Sequence, residues 1–493
     1  MREEVRKVQL RRDIHDIRRR VAVIAVAAAA AFILLRLMVP PVIGVADNGD
    51  FGRVMSVAGI APLNPQESYE DRYFAYAHTR YAYGDYKAGG YVSTHVLLVA
   101  LSGWISRLLN PKFYDIRILG ACYAALFLVA LALAVRYAPA VSSRRATAAL
   151  ASLTALAIVF VFGDEAYVAY FQSFFGEPFA LVGMLAAAAA ALALASAERP
   201  SGGLLALFAC ASFAVATAKI QYAPLGIVFA WLAWRLAGLR PDRSWRRKAA
   251  ASACVLLAGT FAMVAAAPDR LVYTNLYQSV FYGVLKDSPD VAGDMRELGI
   301  PEKYAVLAGT NYFQKGTPIS QKDPTLRREV LDKLGHEEVA LFYVKHPGRF
   351  VDKMKKAAQA GASIRPYYLG NFEKSANRGA GAISERFSAW SEWKHSRMPH
   401  SLGWFAGCYA VYYAGLAAWW LLSRSRRARL AAETLAVVAA AGAFAFVVPL
   451  IGDGEADLAK HLFMFNVCFD MMVVSAFVGV CYGFFRWMEF RKG

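Results

Sequence analysis

Two carboxylates, Asp47 and Asp50, stand in the stretch A-D-N-G-D-F-G-R-V-M (46–55), directly after an alanine-rich apolar run that begins near Val21. A carboxylate at the lip of an apolar phase loses part of its hydration, which raises its basicity. Such a group can take the proton of a hydroxyl as a general base. Asp50 immediately precedes a predicted short helix over 51–58, where Asp is a favoured N-cap. Asp47 lies one turn earlier, has less need to cap, and is the better candidate base, with Asp50 as the alternative.

The remaining polar motifs have the same character. In Y-F-Q-S-F-F-G-E-P-F-A, Glu177 stands just before Pro178 at the entrance to an apolar run. An acid there either answers the dipole of a helix start or serves as a second catalytic acid. Lys219 and Gln221 occupy a very short turn in A-K-I-Q-Y-A-P, where a lysine either snorkels or meets an anion. The densest cluster is I-G-D-G-E-A-D-L-A-K-H-L-F-M-F-N, with Asp453, Asp457, Lys460 and His461. The i, i+3, i+4 spacing of Asp457, Lys460 and His461 predicts one shared helix face. That face reads as a self-paired surface cluster of small energetic weight or as a holder of phosphate. Cations at a bilayer edge suit a lipid phosphate, bound by charge and anchored by its tail. We therefore assign phosphate holding to Lys219, Lys460 and His461, and substrate binding to Gln221, Asp453 and Asp457.

The elements that must position these groups are membrane helices. With 57% hydrophobic and only 19% charged residues over 493 positions, the chain is far more apolar than a soluble protein of this length. Its net charge of +18 resides in short clusters between apolar runs, the pattern of cytoplasmic loops under the positive-inside bias, so no nucleic-acid partner is implied. Apolar runs at 21–45, 113–137, 146–162, 178–195, 203–218, 223–237, 249–267, 402–422, 430–451 and 462–485 predict about ten spanning helices, at roughly twenty residues each. The first is too long for a cleaved signal and is read as a retained span.

The segment 91–109 would put the clusters around Arg144 and 243–248 on the wrong side if it also crossed. It is read instead as an interfacial helix. Both termini then lie inside, and every polar motif above lies outside. The fold class is an all-α polytopic membrane protein in three parts. Residues 1–267 form an N-terminal module with a first outer loop at 45–112. Residues 268–400 form an outer loop or small domain, and 401–493 a final three-helix segment. The outer part predicts helices at 325–334 and 336–344, and its basic stretch K-H-P-G-R-F-V-D-K-M-K-K is expected on lipid headgroups. Its Tyr367, Tyr368, Trp390 and Trp393 either stack on sugars or form its small core. Six cysteines, Cys122, Cys210, Cys254, Cys408, Cys468 and Cys481, form no C-x-x-C pair and read as small core residues.

In D-N-G-D-F, F-F-G-E-P, A-K-I-Q and G-D-G-x-A-D-L-x-K-H-L-F-x-F-N, and in their placement after the first span, between the third and fourth, and near the C-terminal spans, the chain resembles the GT-C superfamily of polyprenyl-phosphate-sugar-dependent glycosyltransferases. Within it, the WsfD-type hexose transferases of surface-layer glycan assembly are the nearest likeness. The resemblance covers nearly the whole chain. It implies a GT-C-type bundle and an inverting hexosyl transfer on the outer face of a bacterial cytoplasmic membrane. It further implies a polyprenyl-phosphate sugar as donor and a surface glycan or lipid-linked glycan as acceptor. Asp47 matches the family's base position, with Phe51 where an aromatic is frequent. Asn48 replaces a frequent Glu, leaving Asp50 or Glu177 to supply a second acid.

No G-x-G-x-x-G or P-loop cradle is present for a nucleotide sugar. No spacing demands a metal, although a divalent cation could assist. A flippase for lipid-linked sugars and a glycan polymerase or ligase are the competing classes. Transporters commonly place charges near the bilayer midplane, whereas the charges here gather at one edge.

Overall fold

The computed structural model describes residues 2–491; Lys492, the last residue of the predicted terminal basic cluster, lies outside the described residues. The chain is an all-α polytopic membrane protein. Among the described residues, eight helices are long and apolar enough to cross a membrane: Arg12–Met38, Ile116–Arg136, Arg144–Phe162, Glu177–Ser196, Arg243–Ala265, Leu402–Leu422, Arg426–Gly452 and Phe463–Phe490. The two other predicted spans form shorter apolar helices, Gly202–Ala218 and Leu225–Leu239. Tight 3-10 turns at Ile220–Tyr222 and Ala237–Leu239 take up residues at their ends. Both nevertheless run between the same two ends of the bundle. At one end Arg240 donates to the Pro200 carbonyl at 3.2 Å, and at the other Ser93 Oγ donates to the Ala218 carbonyl at 2.7 Å.

The basic loops meet at a single end. There Arg144 pairs with Asp13, the Ser142 and Ser143 amides donate to Glu489 at 3.1 and 2.6 Å, and Arg427 donates to the Glu198 carbonyl at 2.7 Å. The polar motifs collect at the other. Here the first span ends before Asp47, the helix Glu177–Ser196 begins, Lys219 follows Ala218, and Asp453 follows Gly452.

Between 45 and 112 the chain is more varied than predicted. The helix Phe51–Ala58 forms as expected, and His95–Leu109 buries Val96, Val99 and Ser102 while exposing Leu97, Trp104 and Leu108. A small three-stranded antiparallel sheet, Ile60–Pro62, Arg80–Tyr83 and Tyr114–Asp115, was not expected. Its strands are too short to show a two-residue hydrophobic period in the sequence.

The segment 268–400 has two attachments. Residues from Leu276 to Tyr343 pack into their own hydrophobic cluster, whereas Ala357, Ile364, Leu369 and Met398 belong to the main core. The helix predicted at 336–344 is His336–Lys345. The one predicted at 325–334 reduces to Pro324–Leu326 and a π-turn, Arg327–Leu331. In the basic helix Pro347–Ala360, Lys353 and Lys356 turn onto Glu455 at 2.6 and 3.1 Å, which corrects the expectation that this stretch faces headgroups. Their ammonium groups find a carboxylate in the loop between the last two spans. Trp390 stacks on Trp393 and donates to the buried Asp470, and Tyr367 stacks on His395. Trp390 and Tyr367 are thus held by partners within the segment and the last span, Trp393 stays half exposed, and Tyr368 reaches the polar end described next.

Candidate functional site

The cap of the first outer helix falls to Asp47 and not, as the sequence suggested, to Asp50. Gly49, at φ +101°, folds the chain back so that Asp47 Oδ1 accepts from the Gly49 and Phe51 amides at 2.7 and 3.1 Å. Asp47 thus caps the helix Phe51–Ala58, and Asp50 makes no side-chain cap. The cap uses only one carboxylate oxygen. Among the described residues no donor reaches Asp47 Oδ2, and Asp47 lines a cavity of about 250 Å³. At 8% exposure, burial pushes the Asp47 carboxyl up to about 6 against the pull of the two amides.

Asp50 is tied elsewhere. Its Oδ2 accepts from Lys460 and its Oδ1 from Arg53, one helical step along. Burial alone would raise its carboxyl, but the Lys460 and Arg53 charges hold it well below the usual carboxylate range. A carboxylate so stabilised is a poor proton acceptor, which separates Asp50 from Asp47 as a base. Lys460 is 2% exposed and sits 4.1 Å over the Phe175 ring.

Glu177 and Lys219 form a second pair, Nζ to Oε1 at 2.7 Å, with Glu177 fully buried and its Oε2 without a partner. Gly176 permits this approach: a Cβ there would lie 2.9 Å from Lys219 Cγ and 3.0 Å from the Ala218 carbonyl. Lys219 therefore does not snorkel. Its charge also acts on Asp50, so the two ion pairs share one field.

The C-terminal motif does not form one helix face. The helix is a single turn, Leu458–His461, entered through Asp457 in the left-handed region at φ 43°. Its three polar groups go to different partners, which corrects the shared-face expectation. Lys460 takes Asp50. His461 meets Gln221 Oε1 through Nδ1 at 2.7 Å and Asp453 Oδ2 through Nε2 at 2.9 Å. Asp457 is approached by Asn48 Nδ2 at 3.5 Å and interacts with the Tyr368 hydroxyl. Gln278 completes the set by donating to Asp453 Oδ1 at 2.9 Å, and burial raises the Asp453 carboxyl against the pull of His461.

All nine predicted residues thus lie in one connected polar region, joined from chain positions more than four hundred residues apart. Arg53 and Gln278 were missed. Arg53 had a signal, its i+3 spacing from Asp50; Gln278 had none, because only folding brings 268–400 over the first loop. Asn48, noted only as replacing a Glu, and Tyr368, noted as a sugar-stacking or core ring, join the centre through Asp457. Among the described residues no three His, Cys, Asp or Glu side chains are grouped to hold a metal ion.

Fold and site together define a polytopic membrane protein with a buried, charge-paired polar centre at one end of its helix bundle. The chain belongs to the family described as the YfdI N-terminal transmembrane domain, whose model matches residues 7–492. No curated protein and no solved structure matches it.

Proposed function

We propose that this chain is a membrane glycosyltransferase of GT-C type. It moves a hexose, with inversion, from a polyprenyl-phosphate donor to a surface glycan or lipid-linked acceptor. The observation that supports this best is the division within the centre: one buried carboxylate, Asp47, with a free oxygen on a cavity, beside three cations, Arg53, Lys219 and Lys460. A base whose pKa lies near neutral is suited to proton abstraction at working pH. Fixed cations offset charge developing on a leaving phosphate.

The transfer balances simply. The acceptor hydroxyl gives its proton to Asp47 Oδ2 as its oxygen bonds to the anomeric carbon, and the bond from that carbon to the lipid phosphate breaks. Lys460 and Arg53 hold Asp50 ionised, and Lys219 with Glu177 adds a second dipole across the centre. We place Lys219, Lys460 and His461 on the phosphate side, and Gln221, Asp453 and Asp457 around the substrate. The end carrying the basic loops faces the cytoplasm under the positive-inside bias, which sets both termini inside and the centre outside.

Purified protein incubated with a radiolabelled polyprenyl-phosphate hexose and cell-envelope acceptors tests the reading. A new glycosidic bond is the expected result. Movement of the lipid-linked sugar across a bilayer without such a bond would refute it and support a carrier.

A further inference from the structure

Asp47 faces two environments, and the second belongs to no role assigned so far. The cavity of about 250 Å³ is lined by Glu373 and residues of the first outer loop, with no lysine among them. It lies below the roughly 300–1,000 Å³ of pockets for drug-sized ligands, so it suits a single ring.

Its electrostatics differ from those of the paired centre. The lining carries three carboxyl groups, Asp47, Glu67 and Glu373, against two guanidinium groups, Arg72 and Arg80. Most of these charges are already engaged: Glu67 meets His78 at 3.0 Å, Glu373 accepts from the Thr79 amide at 3.1 Å, and Arg72 donates to two backbone carbonyls at 2.8 Å. No excess of positive charge is left for a phosphate. The free acceptor is Asp47 Oδ2.

Aromatic walls flank that acceptor. Tyr73 is tied to it by the backbone, through an Asp47–Tyr73 bridge and a 2.8 Å bond from the Phe74 amide to the Asp47 carbonyl. Tyr86 lies against Gly52, where a Cβ would come within 3.1 Å of the tyrosine ring. Both rings are half-buried and line the cavity together with the apolar Phe51 and Met55, and Tyr73 also packs on Tyr69 with ring centroids 4.9 Å apart. Aromatic faces with a few polar groups and no net positive charge suit an uncharged polyol.

We propose that this cavity is the acceptor subsite: it holds the terminal, uncharged sugar ring of the acceptor between Tyr73 and Tyr86, with the reacting hydroxyl on Asp47 Oδ2. The inference rests on the glycosyl-transfer reading for its reaction, but not for its ligand. Acceptor and donor phosphate then approach Asp47 from opposite sides. Tyr86 sets specificity by stacking and makes no contact with the proton in flight.

Two measurements on the full chain in nanodiscs separate the claims. In the first, saturation-transfer NMR with a panel of methyl hexopyranosides reads ring binding without any donor. Wild type should bind at least one, Tyr86→Phe should retain it, and Tyr86→Ala should weaken it at least tenfold. Absence of binding to wild type, or equal binding by Tyr86→Ala, overturns the subsite whatever the protein catalyses. In the second, transfer kinetics should show acceptor KM raised at least tenfold in Tyr86→Ala, with donor KM unchanged. A KM rise confined to the donor overturns the subsite as well. Sugar binding by wild type without any transfer would leave the subsite standing and refute the transferase reading.

Discussion

Replacing Asp47 by Asn tests the centre most directly, because it separates the carboxylate's chemical role from its structural one. Asparagine keeps an oxygen at the Oδ1 position, so the Gly49 and Phe51 amides keep their acceptor and the helix Phe51–Ala58 keeps its cap. The base alone is lost, and turnover should fall by about 10²–10⁴, the usual worth of general-base catalysis. Donor affinity should stay within about threefold, since loss of a base acts on the chemical step rather than on ground-state binding. The pH profile gives a second reading. With its carboxyl at about 6, Asp47 is the active carboxylate above that pH. Log(kcat/KM) for wild type should climb with unit slope below about pH 6 and level above it, and this limb should vanish in Asp47→Asn.

Stability should move the other way. The rise from 3.8 to about 6 corresponds to about 3 kcal/mol of destabilised carboxylate. A carboxyl raised by folding contributes stability that is complete below its unfolded value and lost as pH rises through its folded one. At pH 8 Asp47→Asn should therefore melt higher than wild type, by up to about 3 kcal/mol, with the gap closing toward pH 4. Radiolabelled transfer assays and thermal melts of the detergent-solubilised protein read both quantities. Near-normal turnover in Asp47→Asn, or a pH limb that persists in it, would refute Asp47 as the base and pass the role to Asp50 or Glu177.

Further expectations follow from the ion pairs. Lys460→Ala should weaken donor binding and turnover together by roughly 1.5–3 kcal/mol, the scale of a charge-assisted contact; normal donor affinity in that variant would leave Lys460 only the task of holding Asp50. Lys219→Ala leaves the fully buried Glu177 unpaired and should cost about 3–5 kcal/mol, whereas Lys219→Met with Glu177→Gln should cost clearly less. Equal loss of melting stability in the two would show that the pair is not energetically coupled. Gly176→Ala places a methyl 2.9 Å from Lys219 Cγ and should lose about 1–3 kcal/mol by overpacking, together with activity; an unchanged melt and rate would refute the close approach as a determinant of the site.

Much of this was legible along the chain, because a bilayer imposes a one-dimensional rule: apolar runs of sufficient length become helices, and basic clusters sort to one side. Asp47, Asp50, Glu177, Lys219 and the 453–461 motif stand out as charges placed where such runs end, and the fold confirms that they share one end of the bundle. What remained open was which charge answers which. Asp50 and Lys460, Glu177 and Lys219, and His461 and Gln221 are joined only by helix packing across hundreds of residues. The transfer of the cap from Asp50 to Asp47 had the same origin. Both are good caps by type, and Asp50 was the nearer to the helix start. Lys460 and Arg53 claim Asp50 in three dimensions, while the left-handed Gly49 delivers Asp47 to the vacant amides. Local periodicity cannot report such choices, because the energy of a buried charge is set by its neighbours in space and not by those along the chain.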